Sequence, residues 1–196
     1  MDKIVALKII VIGDTSVGKT SLLLSYTGAS FEDNYISTIG VDYKEKLLDI
    51  NNYKVKLKIM DTCGQERFKS LNKNFYSSAD GIMFVFDVTQ EISFKNIDSW
   101  LNESENYGEN YKKVLVGNKI DLINIIKVNK EKIEDYAKNK EMIYFETSAK
   151  TGKNVEESFN KLAELIISNM TEDEIKEKTE KTVIKKNQKG KSKKCC

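Results

Sequence analysis

The chain has 196 residues, enough for one ordinary domain with a real core and too few for two comfortable ones. With 40% hydrophobic and 32% charged residues, and no apolar run near the roughly 18 residues of a membrane helix, it reads as globular and without a transmembrane segment. Histidine is absent, which excludes Ser-His and Cys-His nucleophilic pairs and histidine-ligated metals; Arg67 is the single arginine among 32 basic residues, which argues against sequence-specific nucleic-acid binding.

Near-continuous apolar character over Leu7–Ile12 predicts a strand covered on both faces, and the preceding segment lacks a signal-peptide cleavage site. A glycine-bearing turn follows, then a predicted helix over Thr20–Tyr26. The run from Val41 to Ile50, the pair Asn51-Asn52, and Val55, Leu57 and Ile59 alternating with Lys54, Lys56 and Lys58 predict an antiparallel hairpin at a sheet edge. Ile82–Val88 and Val114–Val116 predict further central parallel strands. Helices are predicted over Ser93–Tyr107, Lys130–Asn139 and Val155–Asn169. The last places Val155, Phe159, Leu162, Ala163 and Ile166 on one core stripe, and Asn154 with Glu157 has the form of a capping box at its start. Strands alternating with helices imply an α/β fold.

The domain is expected over residues 1–170. Residues 171–196 carry nine lysines against five acids, a balance of +4 against −2 for the rest. From Lys185 onward there are six lysines and no acid, which predicts a flexible basic tail. Cys63 stands alone and Cys195 and Cys196 end the chain, so the cysteines form neither a disulfide framework nor a zinc set, as suits a reducing compartment.

Gly13 to Thr20 match G-x-x-x-x-G-K-[ST] between a predicted strand and a predicted helix. Glycines let such a backbone curl until its amides point at phosphate oxygens, and the helix adds its positive end. Lys19 supplies a cation for the outer phosphates, and Thr20 offers a hydroxyl to Mg²⁺, a hard ion that takes few protein oxygens. This loop leaves ATP and GTP, kinase and switch, all open. Asn118-Lys119-Ile120-Asp121 follows a buried strand, where the Asp121 carboxylate can accept from the N1-H and N2-H₂ donors of guanine. Adenine has neither donor, and a buried unpaired carboxylate is costly.

The phosphate loop, Thr38, the run Asp61-Thr62-Cys63-Gly64-Gln65-Glu66, the N-K-I-D tetrapeptide and Glu146-Thr147-Ser148-Ala149-Lys150 occur in the order of Ras-like small GTPases, which the chain resembles over about residues 5–168. Ile36 to Tyr43, Gln65-Glu66-Arg67-Phe68 and the Cys-Cys end are similar to the Rab family. Within it, the stretch Tyr35 to Asp42 is similar to the endoplasmic-reticulum-to-Golgi subgroup, and Ser99 to Glu103 to the eighteenth subgroup, which is preferred. The resemblance implies a P-loop GTPase domain with a six-stranded, mostly parallel sheet and helices on both faces. It implies Gly13, Thr15, Ser16, Val17, Gly18, Lys19, Thr20, Ser21, Phe31, Tyr35, Thr38, Gly64, Asn118, Lys119, Asp121, Ser148, Ala149 and Lys150 as nucleotide contacts. Thr20, Thr38 and Asp61 are implied around Mg²⁺, with Asp61 acting through water. Gln65 is implied to orient the attacking water, and Ile39, Tyr43, Met60 and Phe75 to face effectors.

The implied function is a slow GTP/GDP switch in vesicle traffic. Its rivals are a non-hydrolysing nucleotide scaffold and a P-loop ATPase or nucleotide kinase. Implied partners are an exchange factor, an activating protein that also supplies a glutamine, effectors and a prenyl-binding chaperone, with the chain a monomer. Cys195 and Cys196 resemble the signal for double geranylgeranylation. Two lipid chains beside six lysines satisfy the two-signal rule for stable anchoring. The expected location is the cytoplasmic face of the endoplasmic reticulum or Golgi, in exchange with cytosol. Three residues depart from the family pattern: Cys63 in place of alanine, Met60 in place of tryptophan, and Thr15 in place of a smaller residue, where crowding predicts slower hydrolysis.

Overall fold

The computed structural model describes residues 4–28, 41–62, 76–108 and 110–179. Phe31, Tyr35, Thr38, Ile39, Cys63, Gly64, Gln65, Phe75, Cys195 and Cys196 lie outside the described residues.

Strands β1 (Ile4–Ile12), β2 (Val41–Ile50), β3 (Tyr53–Thr62), β4 (Gly81–Asp87), β5 (Lys112–Asn118) and β6 (Ile143–Glu146) form one sheet in the order β2-β3-β1-β4-β5-β6. The β2-β3 hairpin is antiparallel, as the alternating pattern predicts, and every other neighbouring pair is parallel. Helices α1 (Lys19–Thr27), α2 (Glu91–Lys95), α3 (Ile97–Glu105), α4 (Lys130–Asn139) and α5 (Val155–Asn169) cover its two faces. Val5, Leu7, Ile9 and Val11 point to the layer that holds Leu22, Leu23, Phe159, Leu162 and Ile166. Ile10 and Ile12 point the other way, with Ile82, Phe84 and Phe86, toward Phe94, Ile97, Leu101 and Ile133. This double covering is why β1, β4 and β5 lack alternation. On β3 only one face is buried: Val55, Leu57 and Ile59 are inside, while Lys56 and Lys58 turn outward and pair with Glu45 of β2.

Three expectations change. The helix expected over Ser93–Tyr107 is two helices meeting at Asn96, whose side-chain amide is drawn to Asp14 at 2.7 Å. The capping box does not form: Asn154 is left-handed at φ 55° and donates its side-chain amide to the Glu146 carbonyl at 2.8 Å, away from the start of α5. The edge strand β6 pairs only with β5, and all four of its residues keep some exposure. Residues 172–179, assigned to the tail by composition, are helical. Thr171 and Glu174 cap that segment reciprocally, Ile175 joins the core, and Lys178 reaches Asp80 at 2.6 Å. Among the described residues no helix is long and apolar enough to cross a membrane.

Candidate functional site

The chain leaves β1 toward β2 and β3 on one side, then crosses to β4, β5 and β6 on the other, so its direction splits beside β1 and β4. Ligands of open α/β sheets bind at the carboxyl ends of the strands flanking such a point. The phosphate loop, Asp61, the Asn118–Asp121 segment and Ser148–Ala149 are joined there by hydrogen bonds.

After β1 the backbone turns through Gly13 (φ 146°), Ser16 (φ 65°) and Gly18 (φ 97°). Side chains are excluded at both glycines: a Cβ on Gly13 would lie 2.0 Å from the Val85 carbonyl oxygen, and one on Gly18 would lie 2.3 Å from Asn118 Nδ2. Val17 is buried beneath the loop, and Thr15 and Ser16 form its exposed tip. Helix α1 then starts at Lys19 without a side-chain cap and without an acid in its first turn, Ser21 included. The positive end of this helix favours an anion.

Lys19 is buried and folds back over the loop, donating to the carbonyls of Gly13 (2.9 Å) and Asp14 (2.8 Å). Thr20 Oγ1 donates to Oδ2 of buried Asp61, at the end of β3, at 2.5 Å. A hydroxyl and a carboxylate side by side, both hard oxygen donors at the mouth of an anion cradle, fit Mg²⁺. When bound, that ion would neutralise phosphate charge, with Thr20 and Asp61 holding it and Lys19 meeting the outer phosphates.

The base side is tied to the same loop. Asn118 ends β5 almost wholly buried, donating Nδ2 to the Val17 carbonyl (2.9 Å) while Oδ1 accepts from the Ala149 amide (3.1 Å) and the Thr147 hydroxyl (3.3 Å). Lys119, left-handed at φ 70°, spans from the Ser16 carbonyl (2.7 Å) to Asp87 Oδ2 (2.7 Å). Buried Ser148 donates to Asp121 Oδ1 at 2.6 Å, which fixes the carboxylate's direction, and Lys150 is exposed. On the hairpin, Tyr43 and Met60 are cross-strand partners, Tyr43 largely exposed.

Sequence reasoning missed Asp87. This buried carboxylate ends β4 and accepts from Thr89 N (2.9 Å), Thr89 Oγ1 (2.7 Å) and Gln90 Nε2 (3.0 Å) as well as Lys119. Burial alone would raise its pKa; the Lys119 ammonium and the Thr89 donors outweigh that and hold it below the usual carboxylate range. An acid closing an apolar strand run was the available signal. Asp14, Asn96 and Trp100, joined by hydrogen bonds, were also missed.

A helix-start anion cradle facing a tethered carboxylate across a strand switch point defines the P-loop nucleotide-binding class. Comparison with known proteins narrows it: the Ras family model matches residues 8–168, and the chain belongs to that family. It is 41% identical to Ras-related protein Rab-1D of Dictyostelium discoideum, over 94% of this chain and 91% of the relative. Identity to Ras-related protein Rab-13 of Canis lupus familiaris is 43%, over 82% and 79% of the two chains. Ras-related protein Rab-1 of Theileria annulata is 43% identical over 84% and 76%. These relatives support the Rab family without selecting a subgroup. The chain is a Rab-type small GTPase: it binds GTP and GDP with Mg²⁺, hydrolyses GTP and regulates membrane traffic.

Proposed function

We propose that this GTPase selects guanine through Asp121 and switches slowly, with Gln65 orienting the attacking water and Thr38 and Gly64 sensing the γ-phosphate. The resemblance adds Phe31, against the base, and Tyr35 as further nucleotide contacts. Ile39, Tyr43, Met60 and Phe75 form the face read by effectors, and Cys195 and Cys196 carry two prenyl groups that hold the monomer on the cytoplasmic face of the endoplasmic reticulum or Golgi. An exchange factor, an activating protein and a prenyl-binding chaperone complete the cycle. The observation that supports the reading is the Ser148–Asp121 hydrogen bond, which holds the carboxylate on the segment that Asn118 and Lys119 tie to the phosphate loop. The family resemblance supports the residues outside the described chain.

Competition against a fluorescent guanine nucleotide tests it. GTP and GDP are expected to displace the probe at concentrations at which ATP does not, and equal competition by ATP would overturn the assignment. Asp121→Asn replaces one acceptor oxygen by a donor, so guanine binding is expected to weaken while xanthine nucleotides, with a carbonyl where guanine has its amino group, gain.

A further inference from the structure

Asp14, the second residue of the phosphate loop, is held from outside the loop. Its Oδ1 accepts from Trp100 Nε1 at 2.8 Å, and its Oδ2 accepts from Asn96 Nδ2 at 2.7 Å. Asn96 caps α3 and Trp100 stands one turn further on, so both donors lie on one helix face. The main chain of Asp14 is engaged separately: its carbonyl and that of Gly13 receive the Lys19 ammonium. One residue thus links α3 to the lysine that meets the outer phosphates.

A carboxylate one position into an anion cradle opposes the ligand's own charge, and Asp14 is only partly buried. We propose that Asn96 and Trp100 are positioning residues for the phosphate loop: they hold the Asp14 carboxylate against α3 and thereby fix the two carbonyls that aim Lys19. The requirement is chemical. Trp100 must donate, so another aromatic ring fills its space without replacing its function, and Asn96 must offer an amide rather than an acid.

The test is GDP release from the purified, Mg²⁺-loaded protein, followed with a fluorescent GDP analogue. Trp100→Phe keeps most of the packing and removes the N–H; release is expected to accelerate on the order of tenfold, the scale of one hydrogen bond to a charged group. In an Asp14→Ala background the same change is expected to alter release less than twofold. Equal acceleration in both backgrounds would mean that Trp100 acts by packing alone and would overturn the proposal. Asn96→Asp sets two carboxylates together and is expected to accelerate release. Adding Asp14→Asn restores an amide–carboxylate pair with the roles exchanged and is expected to slow release again, an effect that general loss of stability does not produce. Release as fast in the exchanged pair as in Asn96→Asp alone would also refute the clamp.

Discussion

The ammonium of Lys119 lies 2.7 Å from the buried carboxylate of Asp87 and 2.7 Å from the Ser16 carbonyl, so one side chain joins the end of β4 to the tip of the phosphate loop. Asp87 is what makes this placement of Lys119 stable, because the lysine is held in a left-handed conformation that its own Cβ disfavours. Asp87→Asn keeps an acceptor for Thr89 but removes the charge. It is expected to destabilise the fold by about 1.5–3 kcal/mol, the range for hydrogen bonds to charged groups, with nucleotide release accelerated alongside.

The pH dependence has a definite sign. The folded pKa of Asp87 lies below its unfolded value of about 3.9, so its contribution is complete above the unfolded value and fades as the pH falls through the lower folded one. Denaturant melts at neutral pH and on the acid limb should show the wild type losing this increment below about pH 4, where Asp87→Asn has none to lose. Parallel acid limbs would mean that the ion pair contributes nothing to folding.

The segment over residues 172–179 supplies a second expectation. Ile175 is 8% exposed and belongs to the core layer with Leu162 and Ile166, and Lys178 pairs with Asp80, whose other oxygen accepts from the Lys8 amide. Ile175→Ala is expected to cost about 2 kcal/mol at the low end of the range for buried aliphatic truncations. Urea unfolding of that variant and of a chain ending at Met170 measures this. Unchanged midpoints in both would show that the segment contributes nothing to the domain's stability.

Anchoring is separable from folding. Cys195→Ser with Cys196→Ser removes both thiols that a prenyl transfer needs and touches no described contact. The double variant is expected to keep the wild-type unfolding midpoint and to move from the membrane fraction to the cytosol. Membrane association unaffected by the change would place the anchor elsewhere in the chain.

Much of this was legible because the signals were local. The β2-β3 hairpin follows from lysines alternating with Val55, Leu57 and Ile59, and α4 and α5 run over their expected residues because each has a clean helical stripe. The phosphate loop announces itself because its glycines meet backbone and side-chain atoms at distances no Cβ allows. Non-local pairings were hidden. Asn96 divides α2 from α3 because its amide binds Asp14, 82 positions earlier in the chain, and no periodicity records that. Asn154 has a cap residue's identity but spends its amide on the Glu146 carbonyl, so composition pointed to the wrong partner. The helix over residues 172–179 sits in a segment rich in lysine and acid, where one buried isoleucine and one ion pair outweigh a disordered composition. Asp87 was invisible for a related reason: its partner Lys119 lies 32 positions further along the chain and was expected among the nucleotide contacts.

Hydrolysis is the last expectation, and it rests on a missing residue type. Transition-state charge in GTP hydrolysis is commonly met by an arginine finger, and the only arginine in the chain, Arg67, stands two positions beyond Gln65. None of the described residues is an arginine, so the cationic groups at the described site are lysine ammonium ions, those of Lys19, Lys119 and Lys150, and Lys119 is committed to Asp87. Unaided turnover is therefore expected on the order of 10⁻⁴ to 10⁻³ per second, and an activating partner that inserts its own arginine is expected to raise it by roughly 10³ to 10⁵. Such a partner, if it also brings a glutamine, makes Gln65→Leu more damaging to intrinsic than to stimulated hydrolysis. Single-turnover assays on both forms, with and without an activating protein of the Rab class, measure all four rates. Unaided hydrolysis near one per second would mean that the catalytic charge comes from within this chain, and the need for an external off-signal would fall with it.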